Sequence, residues 1–264
     1  RMHTAFGKGR ICPPGGRVAI QWRVAEIVIS EAHGVRHLHF GSSWVQGAMR
    51  IARPWSLEIE YTRQMMAALV LRPGERWPAR VLQVGLGAAS LTRFLHRHRP
   101  GARIAAVEIL PGVVAAARQY FRLPDDPRRL RIEIADGHDY LAASRARFDL
   151  ILVDGFDGMG RSGMLDSAPF YVNCRARLSG SGLAAFNLLD RGRGAGASIA
   201  RIREAFDEQV LVLPRCEAGN TVVLAGAGPP VRGPLESLRD GASGLYAQTG
   251  LDLRPLVEAL IRQG

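Results

Sequence analysis

Cysteine is scarce and unpatterned. Cys12, Cys174 and Cys216 are the only three, they lie far apart, and no C-x-x-C occurs, so neither a disulfide framework nor a zinc site is supported. Lysine is nearly absent: of 35 basic side chains only Lys8 is a lysine, so the formal net charge of +11 is arginine charge. Such a surplus draws nucleic acid when it is concentrated on one face. Here it is scattered, with Arg93, Arg97 and Arg99 on one expected helix, Arg128, Arg129 and Arg131 in an expected loop, and Arg175 and Arg177 on another helix. No basic block is interleaved with aromatics, so a nucleic-acid partner is not expected, and compositional bias accounts for the arginine better. Long apolar runs are missing too; the longest are strand-sized and too short to span a bilayer. No apolar signal region follows Arg1-Met2-His3, which points to a cytoplasmic protein. His37 and His39 alternate on a strand and His96 and His98 share a helix end. Neither pair has an acid or cysteine at ligand spacing, so no metal site is expected. Ser90 has no His–Asp pattern around it, which argues against a hydrolase triad. There is no internal repeat.

What is present suits a folded α/β enzyme. Hydrophobic residues make up 47% of 264, enough for one large domain plus a small appendage. Residues 1–17 read as a loose, Gly/Pro-rich arm. From Val24 to Ile51, short strand-like runs (Ile27–Ile29, Arg36–Phe40, Gln46–Ile51) are punctuated by His33-Gly34 and Gly41-Ser42-Ser43, which predicts a small antiparallel unit of about three strands. Pro54 ends it. Ser56 is a plausible cap for a helix running to Arg72-Pro73-Gly74. From Arg80 onward apolar strands alternate with helices: strands near 81–84, 103–107, 130–135, 148–153 and 182–188, then a closing pair near 210–213 and 221–225, and a terminal helix over 251–261. Continuous apolar strands separated by helices predict a mostly parallel, doubly wound sheet covered on both faces. The expected division is residues 1–54, arm and small β-domain, and residues 55–264, a Rossmann-like domain.

Four signals fall at strand ends. Val84-Gly85-Leu86-Gly87-Ala88-Ala89-Ser90 follows the first sheet strand and opens a helix, where glycine allows a tight turn and close approach of a ligand. Glu108 ends the second strand, 21 residues beyond Gly87, where a carboxylate can accept both hydroxyls of a ribose. Asp136-Gly137 ends the third; the carboxylate can take an exocyclic adenine amine and the glycine leaves room for a ring. Val153-Asp154-Gly155-Phe156-Asp157-Gly158 ends the fourth. Open α/β sheets bind ligands beyond these ends, so Glu108, Asp136, Asp154 and Asp157 are expected to rim one crevice that hosts cations or sugar hydroxyls.

This order of glycine turn, Glu108, Asp136-Gly137 and Asp154-x-x-Asp157 resembles the polyamine aminopropyltransferases, the spermidine and spermine synthases. Glu60-Tyr61-Thr62-Arg63-Gln64-Met65-Met66 looks like that family's segment joining its β-domain to its catalytic domain. Gln46, after His39-Phe40-Gly41, sits where the family has a glutamine. Phe170-Tyr171 and Leu178-x-x-x-Gly182 match the helix and loop before strand five. The resemblance covers roughly residues 24–225 and implies a small N-terminal β-domain, a catalytic domain of the Rossmann-like class I methyltransferase fold, and a homodimeric transferase. Its donor would be decarboxylated S-adenosylmethionine and its acceptor a small-molecule diamine or polyamine. By the same resemblance, Gly85 and Gly87 form the cofactor turn, Glu108 holds the ribose and Asp136 the adenine. Tyr61 and Gln46 line the sulfonium and amine end, Asp154 orients and deprotonates the attacking amine, and Asp157 holds its far charged end.

Three positions depart from the family pattern. Ala88 stands where the turn usually carries an aspartate, the Tyr-Gln pair of the first strands has only Gln21-Trp22 as a counterpart, and Pro214-Arg215-Cys216-Glu217-Ala218-Gly219-Asn220 replaces a tyrosine-containing loop. Loss of the turn aspartate makes ordinary S-adenosylmethionine the alternative donor. Methyl transfer on the same fold, or ligand binding without catalysis, are then the alternative functions.

Overall fold

The computed structural model describes residues 22–24, 27–40, 45–156, 162–189 and 195–263. A small antiparallel sheet comes first, ordered β1 (Trp22–Val24), β2 (Ile27–Ala32), β3 (Val35–Phe40) and β4 (Gly47–Arg50). It has four strands against the expected three; β1 contributes only three residues, too few to show a period.

The large sheet follows: β5 (Arg80–Val84), β6 (Arg103–Glu108), β7 (Leu130–Ile134), β8 (Phe148–Val153), β9 (Leu178–Leu189), β10 (Val210–Val212) and β11 (Asn220–Gly226). Its spatial order is β10-β11-β9-β8-β5-β6-β7, with β5 to β9 parallel and β11 antiparallel to both its neighbours. The mostly parallel, doubly wound arrangement of the sequence reading is therefore observed. Alternate residues of each strand feed opposite cores. Val81, Leu150, Leu152, Val222 and Leu224 pack on one face, and Leu82, Ile151, Val153, Val223 and Ala225 on the other. Both faces are apolar because helices cover both.

On the first face lie α1 (Glu60–Met65), α2 (Ala68–Leu71), α3 (Ser90–His98), α8 (Leu235–Thr249) and α9 (Arg254–Gln263); on the second, α5 (Gly137–Ala143), α6 (Ala168–Ala176) and α7 (Gly196–Ala205). The small sheet shares a third cluster with the glycine turn and α4 (Pro111–Tyr120), in which Ile29, Leu38 and Met49 meet Ala89, Val113 and Phe121. The two sheets are thus packed together.

Three elements differ from expectation. The helix expected from Ser56 begins at Glu60 and breaks at Met66-Ala67. Residues 64–71 are buried on all sides, and a continuous apolar run carries no period to mark a break. Strand β9 begins at Leu178, four residues before its expected start, because a register shift opposite Phe148 and Leu150 absorbs the extra residues. Helix α8 was not foreseen. No element is assigned from the sequence to this stretch, which carries Gly241 and Gly244; a Cβ on Gly241 would lie 2.7 Å from the Val70 carbonyl oxygen. The glycine lets α8 press against α2.

Several arginines act as backbone staples. Arg93 is buried and donates to the carbonyls of Pro54, Ala88 and Phe121. Arg129 reaches those of His96 and Arg99, at 2.8 and 2.9 Å, and Arg72 those of Ser181, Pro229 and Pro230. His96 pairs with Asp126 at 2.9 Å, a carboxylate thirty positions away that local spacing did not reveal. No helix among the described residues is long and apolar enough to cross a membrane.

Candidate active site

The register of the parallel strands sets the site. Val84 lies beside both Val107 and Val153, so β5, β6 and β8 end level, and the next residues emerge together. Beyond that edge is a cavity of about 1040 Å³. Gly85, Gly87, Glu108, Asp136, Gly137 and Asp154 line it, and so do Gln46 and Tyr61 from outside the large sheet. Eight of the nine expected site residues therefore meet in one hollow; Asp157 lies outside the described residues, as does Gln21.

The turn after β5 has left-handed residues at Gly85 (φ +86°), Gly87 (φ +51°) and Ala89 (φ +56°). Gly85 is needed for packing as well as conformation, since a Cβ there would collide with the Asp154 carbonyl oxygen. Gly137 is also set by packing: its missing side chain is replaced by Val84, not by open space for a ring. Ala88 is buried under the small sheet, where a Cβ on Gly47 would come within 2.5 Å of it. A longer acidic side chain at 88 would press into β4.

Glu108 is buried, and each carboxylate oxygen takes one backbone amide: Leu86 N donates to Oε2 at 2.9 Å and Leu110 N to Oε1 at 3.0 Å. The carboxylate is thereby tied to the turn it faces, with further lone pairs turned to the cavity. Asp136 caps α5: its Oδ1 accepts from the amides of His138 at 2.8 Å and Asp139 at 3.2 Å, and Oδ2 is engaged by neither. Ile109, Leu110, Met164 and Leu165 supply apolar walls beside these two acids. Met164 and Leu165 belong to a 3₁₀ turn, Gly163–Asp166. Asp166 anchors that turn by accepting from Tyr171 Oη at 2.6 Å and Ser198 Oγ at 2.8 Å. Asp136, His138 and Asp139 also bring their ligand atoms within 4.8 Å of one another. Asp136 Oδ1 takes the helix amides, and His138 and Asp139 meet each other at 3.0 Å.

At the other end sits Asp154. Tyr61 Oη donates to its Oδ2 at 3.1 Å, and Asn187 Nδ2 donates to its Oδ1 at 2.8 Å. Burial pushes this carboxyl up to about 6; the Asn187 and Tyr61 hydrogen bonds oppose the rise and the Glu108 charge adds to it. Burial and the Asp154 charge together hold the Tyr61 phenol well above its ordinary range. Ala218 of the loop after β10 and Asn220, the first residue of β11, close this end. Gln64 Nε2 holds the loop by donating to the Pro214 carbonyl at 3.0 Å, and the Glu217 amide donates to Glu60 at 3.0 Å. Cys216, within the segment that replaces a tyrosine-containing loop, is buried, and burial pushes its thiol up to about 12. Sequence reasoning missed Asn187 and Asn220. The available signal was one amide in the otherwise apolar end of β9.

A carboxylate pair set for hydroxyls, apolar walls for a flat ring and a base with a raised pKa are suited to holding a nucleoside beside a nucleophile that must lose a proton. A family model for the spermine/spermidine synthase domain matches residues 60–186. A polyamine aminopropyltransferase of Chromobacterium violaceum is 35% identical over 235 residues, covering 89% of this chain and 89% of that one. The crystal structure of human methyltransferase-like protein 13 in complex with SAH has a TM-score of 0.64 and 27% identity, covering 72% of this chain and 92% of that one. The spermidine synthase of Thermotoga maritima has a TM-score of 0.67 at 20% identity, covering 97% and 82%, which is a likeness of fold.

Proposed function

This chain belongs to the spermine/spermidine synthase family, and from that premise we propose that it moves the aminopropyl group of decarboxylated S-adenosylmethionine onto a nitrogen of a diamine or polyamine. The observation that carries the reading is the Asp154 carboxylate, held between Tyr61 and Asn187 and facing the hollow that Glu108 and Asp136 share. Methyl transfer is not favoured, because the likeness at 35% identity over 89% of the chain is to an aminopropyltransferase.

In this reading Glu108 accepts the two ribose hydroxyls with the lone pairs its backbone donors leave open. Asp136 accepts the adenine amine on Oδ2, and the walls around Ile109 and Leu165 sandwich the ring. The residues present fit an adenosyl group. A sulfonium donor supplies a good leaving group, so the chain's task is alignment and proton removal. Gln46 and Tyr61 line the reacting end. Asp154 takes the proton from the attacking ammonium, and Asp157 holds the acceptor's far charge. No metal ion takes part. The homodimer and the cytoplasmic setting belong to the same proposal. So does a division at residue 54, between an N-terminal arm with a small β-domain and the catalytic domain of residues 55–264.

Incubation with decarboxylated S-adenosylmethionine and putrescine or spermidine, followed by product chromatography, tests the reading: methylthioadenosine and a lengthened amine should appear in equal amounts. Methylated product from ordinary S-adenosylmethionine would overturn it. The pH dependence follows from Asp154. Its carboxyl must be ionised to accept a proton, so kcat/KM should fall as pH drops through about 6, whereas an ordinary carboxylate would hold to about 4. Glu108→Gln should weaken methylthioadenosine binding by roughly 10- to 100-fold in calorimetry. The lost charge-assisted bonds are worth about 1.5–3 kcal/mol, and the amide NH₂, a donor, would face the backbone N–H of Leu86 or Leu110.

A further inference from the structure

We propose that Asn187 and Asn220 form a two-amide relay that fixes the orientation of the Asp154 carboxylate, making both of them positioning residues for the reaction. The inference rests on the role given to Asp154 above and extends it to two residues on other strands.

The geometry is directional. Asn220 Nδ2 donates to Asn187 Oδ1 at 2.9 Å, and Asn187 Nδ2 donates to Asp154 Oδ1 at 2.8 Å. A side-chain amide has one donor end and one acceptor end. Turned over, Asn187 would set its oxygen against a carboxylate oxygen and its NH₂ against another NH₂, two repulsive contacts at those distances. The carboxylate, which only accepts, sets the donor end of Asn187 towards Asp154, and Asn220 holds that orientation from the far side by donating to the Asn187 carbonyl. Both amides are buried, so a wrong orientation would be costly. The antiparallel pairing of β9 with β11 brings them together: Asn187 is opposite Val222 and Asn220 opposite Leu189, a diagonal on one face at the cavity end of the sheet.

With Oδ1 committed to Asn187 and Oδ2 to Tyr61, the carboxylate cannot rotate, and its free lone pairs face one direction. The groups around it are Tyr61 of α1, Glu108 of β6 and Asn187 of β9, with Cys216 of the β10–β11 loop beside Tyr61. Asn187 and Tyr61 are the only two of these that favour the ionised form. Glu108 and burial work against it.

The test compares kcat/KM against pH for the parent, Asn187→Leu, Asn220→Leu, the double variant and Asp154→Asn, with methylthioadenosine affinity as the check of an intact fold. Loss of the Asn187 donor should move the acid limb up by about one pH unit, roughly a tenfold loss of rate on that limb. Asn220→Leu should move it in the same direction by less. The double variant should match Asn187→Leu alone, because Asn220 acts through Asn187. An unmoved limb in both single variants, or effects that simply multiply in the double, would overturn the relay. If Asn187→Leu fails to fold, Asn220→Leu and Asn220→Ser carry the same requirement of an upward shift. Full turnover in Asp154→Asn would instead remove the reading on which the relay rests, whatever the asparagine variants do.

Discussion

Asp154→Asn is expected to lose turnover by roughly 10²- to 10⁴-fold, the usual worth of a positioned general base, while methylthioadenosine still binds. The substitution keeps size and shape, so Gly85, Glu108 and the adenosyl half of the hollow are left as they are. What is removed is the ability to accept a proton. The same variant should gain stability near neutral pH. The folded carboxyl sits at about 6 against an ordinary value of 3.8, so between those values the folded chain binds more protons than the unfolded one. Stability therefore declines as pH rises across that interval, and at pH 7 the ionised, buried Asp154 weighs against folding on the order of 2–3 kcal/mol. An asparagine carries no such penalty. Its melting temperature should exceed the parent's at pH 7, and the gap should narrow at pH 4. A variant that keeps the parent's rate, or melts well below it at pH 7, would place the acid-base work elsewhere.

This opposition between stability and activity explains which parts of the site could be seen in the sequence. Glu108, Asp136 and Asp154 were legible because they follow strands whose apolar runs are continuous, and each breaks its run with a carboxylate at one end of the sheet. Parallel strands ending level then bring such residues together with no further information. Asn187 also breaks an apolar run, but its meaning depends on Asn220, 33 residues later across an antiparallel pair. That contact exists only once the register of β9 on β11 is known, and β9 itself begins four residues earlier than its pattern suggested, since Leu178–Ser181 precede the apolar run. Gly137 was legible as a glycine but for the wrong reason. An Asp-Gly at a strand end reads as room for a ligand, whereas Val84 of β5, two strands away in the sheet, fills the space. Helix α8 carries a glycine, Gly241, whose purpose is visible only when Val70 lies against it. In each case the missing information is tertiary: which backbone comes close to which.

Gly85→Ala should be the most damaging single change to the fold of the site, and Gly87→Ala nearly harmless by comparison. Both glycines have positive φ, so both variants carry the left-handed penalty of about 1–2 kcal/mol. They differ in what surrounds them. A methyl at 87 meets nothing nearer than the Gln46 carbonyl oxygen at 3.8 Å. A methyl at 85 collides with the Asp154 carbonyl oxygen and comes within 2.7 Å of its carbon and 3.1 Å of the Gly155 Cα. That backbone cannot retreat cheaply. Gly85 N donates to the Val107 carbonyl at 2.8 Å and Asp154 N to the Val84 carbonyl at 2.8 Å, so β5, β6 and β8 are tied together at this level. Relief means parting β8 from β5, which carries Asp154 away from Tyr61 and Glu108. The expected cost at 85 is about 3 kcal/mol or more, a fall of roughly 6–12 °C in melting temperature for a chain of this size. Turnover should fall with it, whereas at 87 the loss should stay near 2–4 °C per kcal/mol of local strain alone. Thermal melts of the two variants side by side decide the matter: equal losses would mean that the close approach of β5 to β8 does not hold the carboxylate in place.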